Sequence, residues 1–156
     1  MNVFDFEMKG NEYLYHGSSN KLRGDKLNPS QGEDSEERPE NRLLAVYATD
    51  RKDLAIVRAI FGCKDVVGGS IGEYRNNKVN ATIYGDFPKQ EFVYLYYLPI
   101  EKFKQTKIDK HQFVSPVAIK PIKTEKIRVK DFIYLIKTAS EEETKKWLLK
   151  YGKDSF

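Results

Sequence analysis

The chain has 156 residues, 40% of them hydrophobic and 32% charged, with a formal charge of +4 and a pI near 9.0. That balance suits a globular chain long enough to bury a core; no apolar run approaches the ~18 residues of a membrane span, and no charged-then-apolar leader opens the chain. Cys63 is the only cysteine and there are two histidines, which excludes an internal disulfide and a cysteine-type zinc site, so no metal is expected.

These features lead to the expectation of a single cytoplasmic domain over residues 1–156, with no membrane attachment. Charge is unevenly spread. Residues 33–40 are acidic, while Lys120, Lys123, Lys126, Arg128 and Lys130 make a later stretch basic. Such a stretch suits either phosphate contact or the solvated side of a strand.

Residues 1–11 carry two phenylalanines and read as a short lead-in. The stretch Glu12 to Ser19 then alternates Tyr13 and Tyr15 with Leu14, the period of a half-buried strand. It delivers His16 and Gly17 to the turn formers Ser18, Ser19 and Asn20, where a rigid element meets a loop open to ligand. A polar loop runs from Leu22 past Leu27 and Pro29, through Gly32 to Asn41. Its length and composition suit a surface segment or a lid.

Leu43 to Thr49 is a near-continuous apolar run of strand length. Asp50 follows as an expected helix N-cap, with Asp53 favouring the positive helix end. Leu54, Val57, Arg58 and Phe61 share one helical face, which Ala55, Ile56, Ala59 and Ile60 widen, and Gly62 suits the stop. Gly68-Gly69 opens weaker strands, with Asn76-Asn77 as a hairpin turn between Ile71–Arg75 and Val79–Tyr84. Phe92 to Leu98 is the strongest strand pattern and is expected to be central.

Gln112 to Ser115 and the longer Lys126 to Ile136 read as further strands. Pro116 and Pro121 confine the segment between them to an edge or an irregular crossing. Ser140 with Glu143 three residues on is a capping box, opening a helix whose stripe is Trp147, Leu148 and Tyr151 and whose stop is Gly152. The sum is a strand-dominated α+β domain with two main helices.

Three pieces fall in a telling order: a strand ending Tyr15-His16-Gly17-Ser18, a strand ending Val46-Tyr47-Ala48-Thr49 that feeds a helix, and Gln112-Phe113-Val114-Ser115. Together they resemble the ADP-ribosyltransferase superfamily of the diphtheria-toxin and poly(ADP-ribose) polymerase type, with its His-Tyr-Glu triad. The opening, with Gly24-Asp25 and Leu27-Asn28-Pro29, also resembles small bacterial transferases of that group. The resemblance covers about Tyr13 to Asp131.

It implies a split β-sheet core, NAD as co-substrate, and release of nicotinamide with transfer of ADP-ribose to an acceptor that is a protein, a nucleic acid or a small molecule. It implies that His16 bonds a ribose hydroxyl, that the Gly17 backbone holds the nicotinamide carboxamide, and that Tyr47 stacks on the nicotinamide ring, with Ser18 and Thr49 among the NAD contacts. The third triad position departs from the family, because Gln112 stands where such enzymes usually carry glutamate. A neutral amide orients without contributing charge. Two alternatives follow from that departure: Glu91 or Glu73 supplies the charge, or the chain binds NAD without turnover. The basic stretch leaves open a third function, an RNA 2′-phosphotransferase-like activity.

Overall fold

The computed structural model describes residues 13–31, 39, 43–72 and 74–152. The lead-in, Glu12, most of the acidic segment and Glu73 lie outside the described residues. Among the described residues the fold is α+β and mostly antiparallel, with two short α-helices. The chain divides into two compact units, Met1–His16 with Leu22–Ala55 and Leu95–Glu125, and Gly17–Lys21 with Ile56–Tyr94 and Lys126–Phe156. Among the described residues no helix is long and apolar enough to cross a membrane.

The larger sheet has seven strands. Its strands are β1 (Leu14–Ser18), β2 (Ser30–Gln31), β3 (Leu44–Thr49), β6 (Phe92–Leu98), β7 (Lys104–Gln105), β8 (Gln112–Ser115) and β9 (Lys123–Arg128). Their order is β7-β8-β3-β1-β6-β9, with β2 pairing β3 beside this path. β6, expected to be central, lies instead one strand in from the β9 edge, with β3 and β1 at the middle of the order. It is nonetheless deeply buried, Leu95 and Leu98 fully and Tyr96 at 1% exposed. Each such aliphatic side chain contributes about 1.5–3 kcal/mol by leaving water. The Tyr96 hydroxyl, carried into that interior, accepts from the Leu22 backbone N–H, so its polar tip is satisfied.

Helix α1 (Lys52–Phe61) differs from the expected one-faced helix. Leu54, Ala55, Ile56, Val57, Ala59 and Ile60 are all buried, while Arg58 is exposed. A helix that is apolar nearly all round has to be buried nearly all round. Its start also differs from expectation. The first helical bond runs from the Ala55 N–H to the Arg51 carbonyl, which places Asp50 one residue outside the cap.

The second unit carries a three-stranded sheet, β10 (Ile136–Thr138), β5 (Ala81–Tyr84) and β4 (Gly68–Ile71), in that order. The Asn76-Asn77 turn is present. Both residues have positive φ, 51° and 60°, and Arg75 and Lys78 exchange backbone hydrogen bonds across them, the geometry of a primed hairpin turn. The long strand expected over Lys126–Ile136 is broken. β9 ends at Arg128, and two 3-10 turns, Val129–Asp131 and Ile133–Leu135, precede β10. The Val129 N–H leaves the ladder pattern for the Glu91 carbonyl, and Phe132 closes a turn on Val129.

Helix α2 (Glu141–Trp147) begins with the expected reciprocal Ser140–Glu143 capping box. It then widens into a π turn over Leu148–Gly152. Trp147, Leu148 and Tyr151 are half-buried rather than buried. Trp147 instead stacks on Tyr84, with centroids 5.1 Å apart and planes at 18°. A Cβ built at Gly68 would overlap the Trp147 ring, so this glycine is what lets the indole lie on β4.

Gly68→Ala is therefore expected to destabilise by about 1–3 kcal/mol through overpacking, with a lower urea midpoint followed by far-UV circular dichroism, a readout that does not depend on Trp147. In a Trp147→Leu background the same substitution should cost far less; an equal cost in both backgrounds would show that the indole is not the obstruction.

Candidate functional site

β3 is flanked by β1 on one side and β8 on the other, so the three strands singled out in the sequence lie side by side. The β3–β8 ladder is antiparallel over four pairs: Val46 with Ser115, Tyr47 with Val114, Ala48 with Phe113 and Thr49 with Gln112. On the other side Tyr15 pairs with Thr49. Thr49 and Gln112 thus stand in one cross-strand row with Tyr15, and strand alternation puts Tyr47 on the Thr49 side of β3. His16 is one position further along β1, on the opposite side of a regular pleat from Tyr15.

The His16 ring meets β3 through its backbone. Nδ1 lies 2.6 Å from the Tyr47 carbonyl oxygen. A carbonyl only accepts, so Nδ1 carries the proton and Nε2 is the acceptor of the neutral ring. Burial lowers the His16 pKa below the ordinary imidazole value, and the Tyr47 carbonyl bond opposes that shift. The ring also lies 6.3 Å, centroid to centroid, from buried Tyr96. The site histidine is therefore neutral near pH 7, with a fixed tautomer.

Tyr47 is half-buried, and its hydroxyl donates to the Leu43 carbonyl at 3.0 Å. Burial raises its pKa, with that backbone bond acting the other way. Thr49 is 5% exposed, and its Oγ1 accepts from the Arg51 N–H at 3.1 Å. Gly17 and Ser18 are the last two residues of β1, both half-buried, and Ser18 Oγ accepts from the Asn20 N–H. Of the alternative carboxylates, Glu91 is exposed and stands just before β6.

Gln112 is the first residue of β8, delivered by a short β7–β8 loop. Thr106, 6% exposed, donates from Oγ1 to Gln112 Oε1 at 3.1 Å, and the same hydroxyl lies 3.1 Å from the Asp109 carbonyl. The Thr106 N–H donates to the Gln112 carbonyl at 2.9 Å. The carboxamide is held from both its side chain and its backbone before any ligand arrives.

Three features of this sheet had no clear signal in the sequence. One is the row position of Tyr15, which depends on parity against β3. A second is Thr106, an ordinary loop threonine until the hairpin closes. The third is Tyr97, whose hydroxyl donates to Glu125 at 2.6 Å while Lys52 Nζ lies 3.4 Å from the same carboxylate oxygen. The Tyr97 bond, more than the Lys52 charge, holds the Glu125 carboxyl below its usual range.

No family model, curated protein or solved structure matches the chain.

The His16 shift has a consequence for stability. Because the native pKa is lowered, the unfolded chain binds more protons than the native one as pH falls through the ordinary value of about 6.5. Stability contributed by neutral His16 is thus present above that pH and is lost below it, down to the native value. Lowering the pH from about 7.5 to about 5.5 should therefore shift the native urea midpoint more than that of His16→Asn. Equal shifts in the two proteins would remove His16 as the source.

Proposed function

We propose that the chain is an ADP-ribosyltransferase-like protein with the superfamily's split-sheet core, which binds NAD and transfers ADP-ribose to an acceptor with release of nicotinamide. The observation that carries this reading is the β8-β3-β1 neighbourhood. Three short motifs, separated by some 30 and 65 residues of sequence, are adjacent strands, and the His16 ring is bonded to the backbone of Tyr47.

Cleaving the nicotinamide–ribose bond develops positive, oxocarbenium-like charge on the ribose, so the site has to orient the leaving ring without repelling that charge. A neutral His16 meets the second need. Its Nε2 accepts from a ribose hydroxyl, while an imidazolium would repel the reacting centre. Tyr47 offers its aromatic face to the nicotinamide, at little entropic cost because its hydroxyl is already bonded to Leu43. Thr49, on the same strand as Tyr47, adds a further contact. Gln112, held by Thr106, orients the ribose 2′-hydroxyl.

A second reading is favoured by Gln112 itself. Its amide supplies no charge, and a preorganised electrostatic contribution of that kind is worth roughly 2.7–4 kcal/mol, or about 10²–10³ in rate. A module that binds NAD without turnover is the alternative.

Calorimetric titration with NAD, together with nicotinamide release, tests both. Native protein should bind NAD and release nicotinamide slowly, His16→Ala should lose at least about tenfold in affinity (~1.4 kcal/mol), and Gln112→Glu should accelerate release. Release seen only in Gln112→Glu would favour the silent module. No heat of binding at millimolar NAD would sink both readings.

A further inference from the structure

We propose that His111, oriented by Asp50, is the general base that takes the proton of a hydroxyl acceptor, so that the acceptor class is an alcohol or water rather than a carboxylate; this rests on the NAD reading above. The placement comes from the ladder. Thr49 pairs with Gln112 as the last pair of β3 and β8. The next residues outward on the two strands are Asp50 and His111. Their side chains meet, with His111 Nδ1 2.8 Å from Asp50 Oδ1. The pair is partly exposed, at 18% and 28% of the side chains. It is shielded enough to hold its geometry and open enough to meet a ligand.

A carboxylate accepts only, so Nδ1 is the donor toward Asp50 and Nε2 is the basic nitrogen of the neutral ring. Asp50 fixes the tautomer and stabilises the imidazolium that forms on protonation. The backbone beneath is also fixed. The His111 N–H donates to Asp109 Oδ1 at 2.8 Å, the Gln112 N–H to the Asp109 carbonyl at 3.1 Å, and Gln105 Nε2 to the Lys110 carbonyl at 2.6 Å. The loop is tied at successive residues, as a positioned proton acceptor requires.

The chemistry explains why this pair matters here. The Gln112 amide does not take up a proton at neutral pH, whereas the glutamate that usually occupies the position can. A hydroxyl attacking ribose C1′ must lose its proton, while a carboxylate acceptor has none to lose. In the step, the bond between C1′ and the nicotinamide nitrogen breaks and its electron pair leaves with neutral nicotinamide. The acceptor oxygen forms the new bond to C1′, and its proton passes to His111 Nε2 and then to solvent. Asp50 acts through His111 and is a positioning residue.

The test uses the full chain with NAD and water as the acceptor, following nicotinamide release at saturating NAD and NAD affinity by calorimetry. His111→Ala should lower kcat by about 10²-fold or more, the range of general-base contributions, with affinity within about twofold of native. Added imidazole should restore part of the lost rate. Asp50→Asn should lower kcat with affinity kept. An unchanged kcat in His111→Ala overturns the base while leaving the NAD reading intact. So does a fall in rate and affinity together that imidazole does not restore, since that marks a structural pair. Native protein that binds NAD but releases no nicotinamide overturns the base and leaves the silent module. Native protein that does not bind NAD overturns this inference together with the function on which it rests.

Discussion

The arrangement of this site depends on the register of one antiparallel ladder, β3 against β8. Four consecutive pairs set it, and burial enforces it: Val46, Ala48 and Ser115 are 3%, 6% and 0% exposed, while Tyr47 and Val114 between them are half-buried. A slip of one residue would turn Tyr47 and Gln112 inward and expose the apolar set. The ladder also locates everything that hangs from its ends. It puts Gln112 opposite Thr49, and so brings His111 to Asp50.

Charge is distributed in a way that suits two different tasks. His16, Tyr47 and Gln112 are each neutral, although strand parity puts His16 on the opposite side of the sheet from the other two: burial disfavours imidazolium, the tyrosine hydroxyl is bonded to a carbonyl, and the third residue is an amide. Charge is collected beyond the end of β3. There Asp50 holds His111, and Arg51 clasps Asp53 through Nε at 3.1 Å and Nη2 at 2.9 Å. Neutral groups along β1, β3 and β8 thus give way to carboxylates, an arginine and an oriented histidine just past the end of β3.

Much of the element pattern was legible in the residues. Tyr13-Leu14-Tyr15 has the parity of β1, the apolar run before Asp50 is β3, and Phe92 to Leu98 is a deeply buried strand, though β3 and β1 rather than it lie at the middle of the sheet. Asn76-Asn77 and the Ser140–Glu143 box carry local chemistry that tertiary packing did not override. The misreadings also have local causes. Ile127 and Val129 continue a period of two across the end of β9, yet Val129 bonds to Glu91, a partner that no nearby residue announces. Asp50 has the composition of a cap and became the partner of a histidine 61 residues away. Trp147 reads as core by size, but the close approach that Gly68 allows seats it on a sheet strand, half-buried.

By itself the sequence determined most of the segments that form strands, where turns and caps fall, and which titratable side chains stand at strand ends, because propensity, parity and capping act over a few residues. The tertiary structure alone decided which of those side chains are neighbours. Register across strands is set by burial summed over whole ladders, and His16 Nδ1 on the Tyr47 carbonyl and His111 on Asp50 exist only once β1, β3 and β8 lie side by side. The protonation state of His16 belongs to the same class, since the desolvation that keeps it neutral comes from atoms distant in the chain.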